Sequence, residues 1–203
     1  MQKASLILMF LMLTSSSLAA VEAPAIRLES ARGQIQFNGK SVQSGAPLSG
    51  HGNLTTGSDG FAQVRFLPSG TLLSVTPSSK IELEPEIVGK SQELVLAQGM
   101  VRWKIGRKAG PGTATQWKIR GHSATMGVRG TEFLAVSNAL LAETEIIVFE
   151  GQVEFTSQID PKDSRKIEAG YWGGVGGRFG QKIGDPIHLP ANVIESFDHA
   201  SKP

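Results

Sequence analysis

Cysteine is absent from all 203 residues. That excludes disulfides, thiolate metal sites, Cys nucleophiles, thiol redox motifs and a lipid-anchored leader, which needs a Cys at its cleavage point. Histidine is scarce: His51, His122, His188 and His199 are scattered, and none makes the i, i+4 pair of a helical zinc site. No Gly-x-Ser-x-Gly elbow, Ser-x-x-Lys pair or Gly-x-x-x-x-Gly-Lys phosphate loop occurs, and the glycines near Gly173 lack dinucleotide-binding spacing. His122 beside Ser123 is the one suggestive neighbour pair, and it reads as a turn histidine at a strand end. The sequence therefore predicts no enzyme, no metal ligand and no cofactor. A net charge of only +2 argues against nucleic acid as a partner.

Long apolar runs are also missing. The one such run, Leu6 to Leu13, is far short of the ~20 residues needed to span a bilayer. It follows Lys3 and precedes Ser17-Leu18-Ala19-Ala20, which together make a signal-peptide pattern. Cleavage is expected after Ala19, with Ala20 as the alternative. The expected destination is the periplasm, with the cell surface or secretion as alternatives. A mature chain of this size can bury enough core to fold without disulfides.

What is present is glycine, 24 residues of it, and short alternating runs of Val, Ile, Leu and Phe. In Phe61 to Phe66, Ala62, Val64 and Phe66 share one face while Gln63 and Arg65 share the other. The same alternation predicts strands over Thr71 to Val75, Lys80 to Glu84, Glu93 to Ala97, Met100 to Ile105, Gln116 to Arg120, Phe133 to Val136, Glu145 to Phe149 and Gly151 to Phe155. Gly33 to Phe37, Gly99 to Trp103 and Gly151 to Phe155 share one pattern of Gly, any residue, a β-branched residue, a polar residue and an aromatic. Each reads as a glycine at a turn or bulge that opens a strand. Lys166 to Gly170 offers one more strand, Gly170 to Gly184 a glycine-permitted wrap over the domain, and Ala191 to His199 a short helix. The predicted fold is all-β: a compact, twisted, multi-strand domain, either a β-sandwich or β-solenoid-like, with one short C-terminal helix.

Charge is unevenly spread. Leu94 to Thr131 contains no Asp or Glu, yet carries Arg102, Lys104, Lys118 and Arg120 at outward strand positions beside Trp103 and Trp117. Were the two strands joined as a hairpin across Gly110-Pro111-Gly112, the four cations would form one basic surface for an anionic partner. The alternative is a solvated face paired with Glu82, Glu84 or Glu86.

Met126 to Phe133 contains Val128-Arg129-Gly130-Thr131-Glu132-Phe133, which resembles the Val-Arg-Gly-Thr-x-Phe signature of the FecR domain family. Leu54-Thr55-Thr56-Gly57, Phe61 to Phe66, Leu94 to Val101, Val148 to Val153 and Ile167 to Gly170 resemble the family's other steps in order. Pro68-Ser69-Gly70-Thr71 lacks the acidic turn residue usual there. The resemblance covers roughly residues 49–155 and extends weakly to 170. It implies an all-β domain on the outer side of a membrane, which in well-known members belongs to a sigma-factor regulator. The chain shows no cytoplasmic segment before its apolar run, no spanning helix and no room for a receptor-contacting domain, so a stand-alone module is expected.

For the signature, a fold-keeping role is expected of Gly127, Arg129, Gly130, Thr131, Phe133 and Gly151. Gly127 and Gly130 would bracket a tight strand entry, the Thr131 hydroxyl would satisfy a turn backbone group, and Arg129 would be buried against Glu132 or Glu150. The expected organisation is a signal peptide over 1–19, a strand lead-in over 20–48, the FecR-like domain over 49–170 and a Gly-rich tail over 171–203. The expected partner is an unidentified envelope protein, or alternatively an anionic envelope polymer gripped by Arg102, Lys104, Lys118 and Arg120.

Overall fold

Apolar–polar alternation turns most of the chain into strands. The computed structural model describes residues 25–87, 90–106 and 116–202; the expected leader and the Gly110-Pro111-Gly112 turn lie outside the described residues. The strands are β1 (Ile26–Arg32), β2 (Ile35–Phe37), β3 (Lys40–Ser41), β4 (Pro47–Leu48), β5 (Gly52–Thr56), β6 (Phe61–Phe66), β7 (Leu72–Val75), β8 (Lys80–Leu83) and β9 (Gln92–Lys104). They continue as β10 (Trp117–Arg120), β11 (Ala124–Val128), β12 (Glu132–Asn138), β13 (Glu143–Glu150), β14 (Gln152–Ser157), β15 (Ser164–Glu168), β16 (Tyr171–Gly176) and β17 (Ile187–His188). An α-helix, α1 (Ala191–Ala200), follows.

All the strands belong to one mixed sheet that folds over on itself. One half, sheet A, runs β4-β1-β6-β7-β9-β12-β13-β16-β17. The other, sheet B, runs β3-β2-β5-β8-β9-β10-β11-β14-β15. Among the described residues, only β9 and β10 pair in parallel; every other neighbour is antiparallel. β9 belongs to both halves. Its first part pairs in sheet B, and from Gly99 onward it pairs in sheet A. Gly99 makes the passage possible: its φ is 95°, and a Cβ there would stand 2.2 Å from the Ser79 hydroxyl.

The chain advances by crossing between halves in two-strand steps. From β6 onward, β6 and β7 lie in sheet A, β8 and early β9 in sheet B, late β9 in sheet A, β10 and β11 in sheet B, β12 and β13 in sheet A, β14 and β15 in sheet B, and β16 and β17 in sheet A. The result is a sandwich wound stepwise, which unites the two architectures expected from the sequence. Phe66 of sheet A meets Trp117 of sheet B edge-on at 4.9 Å, while Trp103 and Phe133 stack at 6.1 Å within sheet A. These rings and Phe155 are almost fully buried in one continuous core. Each such side chain contributes about 1.5–3 kcal/mol relative to exposure.

Two expectations need correction. Glu93 to Ala97 and Met100 to Ile105 are not separate strands but parts of β9, because the bend at Gly99 keeps the backbone paired on both sides. Nor do the two basic strands form a hairpin: Trp117↔Gln92 and Arg120↔Val95 set β10 parallel to the other end of β9. The Gly-rich segment is a wrap, as expected. β16 pairs with β13 from Ile147↔Trp172 to Glu143↔Gly176, and Val175 and Ile183 enter the core. The three glycines of the shared pattern, Gly33, Gly99 and Gly151, all have positive φ. Among the described residues, no helix is long and apolar enough to cross a membrane.

Candidate functional site

The four cations singled out in the sequence do not meet. Arg102 and Lys104 stand on the outer face of sheet A, whereas Lys118 and Arg120 stand on that of sheet B.

Arg102 is not solvated, contrary to expectation: only 7% of its side chain is exposed. Its Nε donates to Glu132 Oε1 at 2.8 Å, and Nη2 lies 2.6 Å from both Glu132 Oε1 and Asp198 Oδ1. Nη1 donates to the Asp198 carbonyl at 3.2 Å and to Ser201 Oγ at 3.0 Å, and the guanidinium lies over the Phe149 ring at 4.2 Å. Lys104 adds a 3.1 Å contact to Glu132. The physical reason for the burial is α1, whose C-terminal turn brings Asp198 and Ser201 down onto the strand. Burial alone would raise the Glu132 carboxyl, but hydrogen bonds from Arg102 and Lys104 outweigh it and hold Glu132 below its ordinary range. Lys202, 2.5 Å from Asp198, chiefly holds that carboxyl down, with Arg102 assisting against partial burial.

Lys118 and Arg120 are exposed and share one carboxylate. Glu93 accepts Arg120 Nε at 2.9 Å and stands 3.5 Å from Lys118 Nζ. Thus the carboxylates that answer the four cations are Glu132, Asp198 and Glu93. Glu82 and Glu84 instead flank His51, and Glu86 accepts the Ser69 amide.

Around Lys118 and Arg120 the outer face of sheet B is concave. A groove of about 890 Å³ crosses β10, β11, β14 and β15, and Lys118, Arg120, Arg129 and Lys166 line it against one carboxylate, Glu154. Gln152, Thr156 and Gln158 add neutral polar groups. Sequence reasoning missed Lys166, Glu154 and Glu93. The outward alternation of Gln152, Glu154 and Thr156 could have disclosed that face, but the pairing of β14 with β11 is long-range.

The signature segment departs from expectation in three places. Gly127 lies in mid-strand on β11, opposite Lys118 and Glu154, and does not bracket a turn. Arg129 is exposed on the groove, because Glu132 is already engaged by Arg102 and Lys104. The Thr131 hydroxyl is buried without a hydrogen-bond partner; its methyl faces Gly151 instead, where an added Cβ would lie 2.9 Å away. Gly130, with φ 60°, does turn the chain from β11 into β12, and Phe133 is fully buried. His122 and Ser123 form no catalytic pair. His122 is exposed, and the Ser123 hydroxyl donates to the Ala142 carbonyl. Among the described residues, no cluster of three or more His, Asp or Glu could hold a metal ion.

The fold is that of an all-β domain with a cation-lined groove on one outer face. The chain belongs to the FecR protein family, whose model matches residues 52–154. Its fold resembles two crystal structures of a candidate anti-sigma factor from Parabacteroides distasonis, with TM-scores of 0.60 and 0.59 and 16% identity in each. The match covers 72% and 71% of this chain, and the chain spans 64% and 63% of theirs. At that identity the likeness concerns the fold alone. No curated protein matches the chain.

Proposed function

We propose that this chain is an exported, non-catalytic module of the FecR type that acts in the cell envelope by contacting a partner protein through the groove on sheet B. One observation carries the reading: the buried cation of sheet A is covered by the chain's own helix, whereas among the described residues nothing covers the cation-lined face of sheet B. Open, concave, charge-biased surfaces serve to steer and hold partners of opposite sign. The leader pattern of Lys3, Leu6 to Leu13 and Ser17-Leu18-Ala19 supports export. Membership of the FecR protein family supports a stand-alone interaction module rather than an enzyme.

N-terminal sequencing of the envelope fraction is expected to begin at Ala20 or Val21. A photo-crosslinker at Thr125, on the groove, is expected to capture a discrete envelope protein in intact cells, whereas one at Ser196 of α1 is not. An intact Met1, or the same capture from both positions, counts against the proposal. A second reading, binding of an anionic envelope polymer, draws on the amides and hydroxyls of Gln152, Thr156 and Gln158 in the same groove. Retention on purified cell wall or lipopolysaccharide that fades with salt, without a protein crosslink, favours that alternative.

A further inference from the structure

Gly127 has no structural reason to be a glycine. Glycine weakens a strand interior, and where it persists it marks a bulge or the close approach of a ligand or another backbone. Gly130 and Gly151 are explained by the fold through φ values of 60° and 81°. Gly127 is different: it is not among the positive-φ residues, its pairing with Lys118 and Glu154 continues without a bulge, and an added Cβ would meet Glu154 Cβ at an ordinary 3.6 Å. Its missing side chain serves only to keep the outer face of β11 low, at the floor of the groove.

We infer that the trough over Gly127 is a docking site for an extended, acidic segment of a partner protein. The inference rests on the interaction-module reading above and names the partner's chemistry. The cross-strand row through the trough is Glu93, Lys118, Gly127, Glu154, Lys166. Strand spacing puts Lys118 and Lys166 roughly 14 Å apart, on opposite banks. Arg120 lies two residues along β10 from Lys118, and Arg129 two residues beyond Gly127, just past the end of β11. Among the described residues, Arg129 and Lys166 make no ion pair. Glu154, beside the glycine, decides between occupants. A polymer with a charge on every unit must place one against this carboxylate. A peptide can instead present a backbone N–H to Glu154, with spaced carboxylates reaching the cations on either bank. Alternate residues of an extended segment share a face at about 6.8 Å, the spacing of Lys118 and Arg120 along their own strand.

The test uses the mature protein, a short fluorescein-labelled peptide of alternating Glu and Thr, and a polygalacturonate fragment of matched charge. Wild type is expected to bind the peptide in a salt-sensitive way and in preference to the polymer. Gly127→Thr places a strand-favouring side chain in the trough. Peptide affinity is expected to fall by about tenfold or more, the loss typical of a central contact, while Tm holds or rises. Arg129→Gln with Lys166→Gln, a pair outside the Glu93 cluster, is expected to give a comparable loss at unchanged Tm. Unaltered affinity in Gly127→Thr, a lowered Tm with binding intact, or binding of the polymer alone would each overturn the inference. A discrete protein crosslinked at Thr125, with no binding of the acidic peptide, would remove it while leaving the broader reading standing; an uncleaved leader would do the reverse.

Discussion

Arg102 and Lys118 occupy nearly the same position in the sequence pattern, each beside a tryptophan and two residues from a second cation, yet the structure treats them in opposite ways. Arg102 is enclosed by Glu132, Asp198, Ser201 and Phe149 on sheet A. Lys118 shares a solvent-exposed Glu93 with Arg120 on sheet B. The difference teaches that strand alternation selects a face but not the environment of that face. Sheet A receives α1, tied down at its last turn; sheet B receives no such cover among the described residues. One arginine is therefore part of the architecture, and the other cations remain available to a partner.

The sharpest way to break this comparison is Arg102→Ala. It strands the largely buried Glu132 and releases Asp198, so stability should fall by about 3 kcal/mol, the lower end for losing one partner of a buried pair, since Lys104 still reaches Glu132. Urea unfolding reads the loss. An unchanged midpoint would show that α1 contributes nothing to closing sheet A.

Gly130→Val attacks the turn that hands the chain from sheet B to sheet A. A β-branched side chain at φ 60° should cost roughly 1–3 kcal/mol. Thermal melting followed by circular dichroism checks it, and an unaltered Tm with impaired binding would make the signature a ligand contact instead.

Acid should erase part of the contrast. The carboxyls of Glu132 and Asp198 are held below their ordinary range, so the stability they add is present above the unfolded-state values and lost as pH falls through the folded ones. The window opens below roughly pH 4.5, where free carboxylates begin to protonate. Wild type should lose more stability than Arg102→Gln between neutral pH and pH 3 to 4, roughly. Parallel pH profiles would show that the cluster is not the acid-sensitive element.

The smallest effect should come from Lys118→Gln with Arg120→Gln. Exposed pairs to Glu93 contribute little, so stability should shift by no more than about 0.5 kcal/mol. Binding at the groove is expected to weaken nonetheless, and retained salt-sensitive binding would take these two cations out of the site.

Local pattern made much of the fold legible. Phe61 to Phe66, Lys80 to Glu84 and Gly151 to Phe155 alternate strictly and lie within a residue or two of β6, β8 and β14. β11 was hidden, because the glycine at 127 reads as the bracket of a tight strand entry although the segment is paired on two sides. The site was legible only in fragments. Lys118 and Arg120 stood out as outward cations, but Lys166 and Glu154 joined them through pairings across sheet B that no local signal encodes.

By itself the sequence determined the all-β class, the family resemblance, the burial of Trp103 and Trp117, and the glycine turns, because side-chain period and backbone freedom are local properties. Tertiary structure alone decided that β9 serves both halves of the sheet, that β10 joins it in parallel, and that Arg102 is sealed by a helix almost a hundred residues further along the chain. Those outcomes depend on which distant segments finally meet, and a charge has no fixed environment until they do.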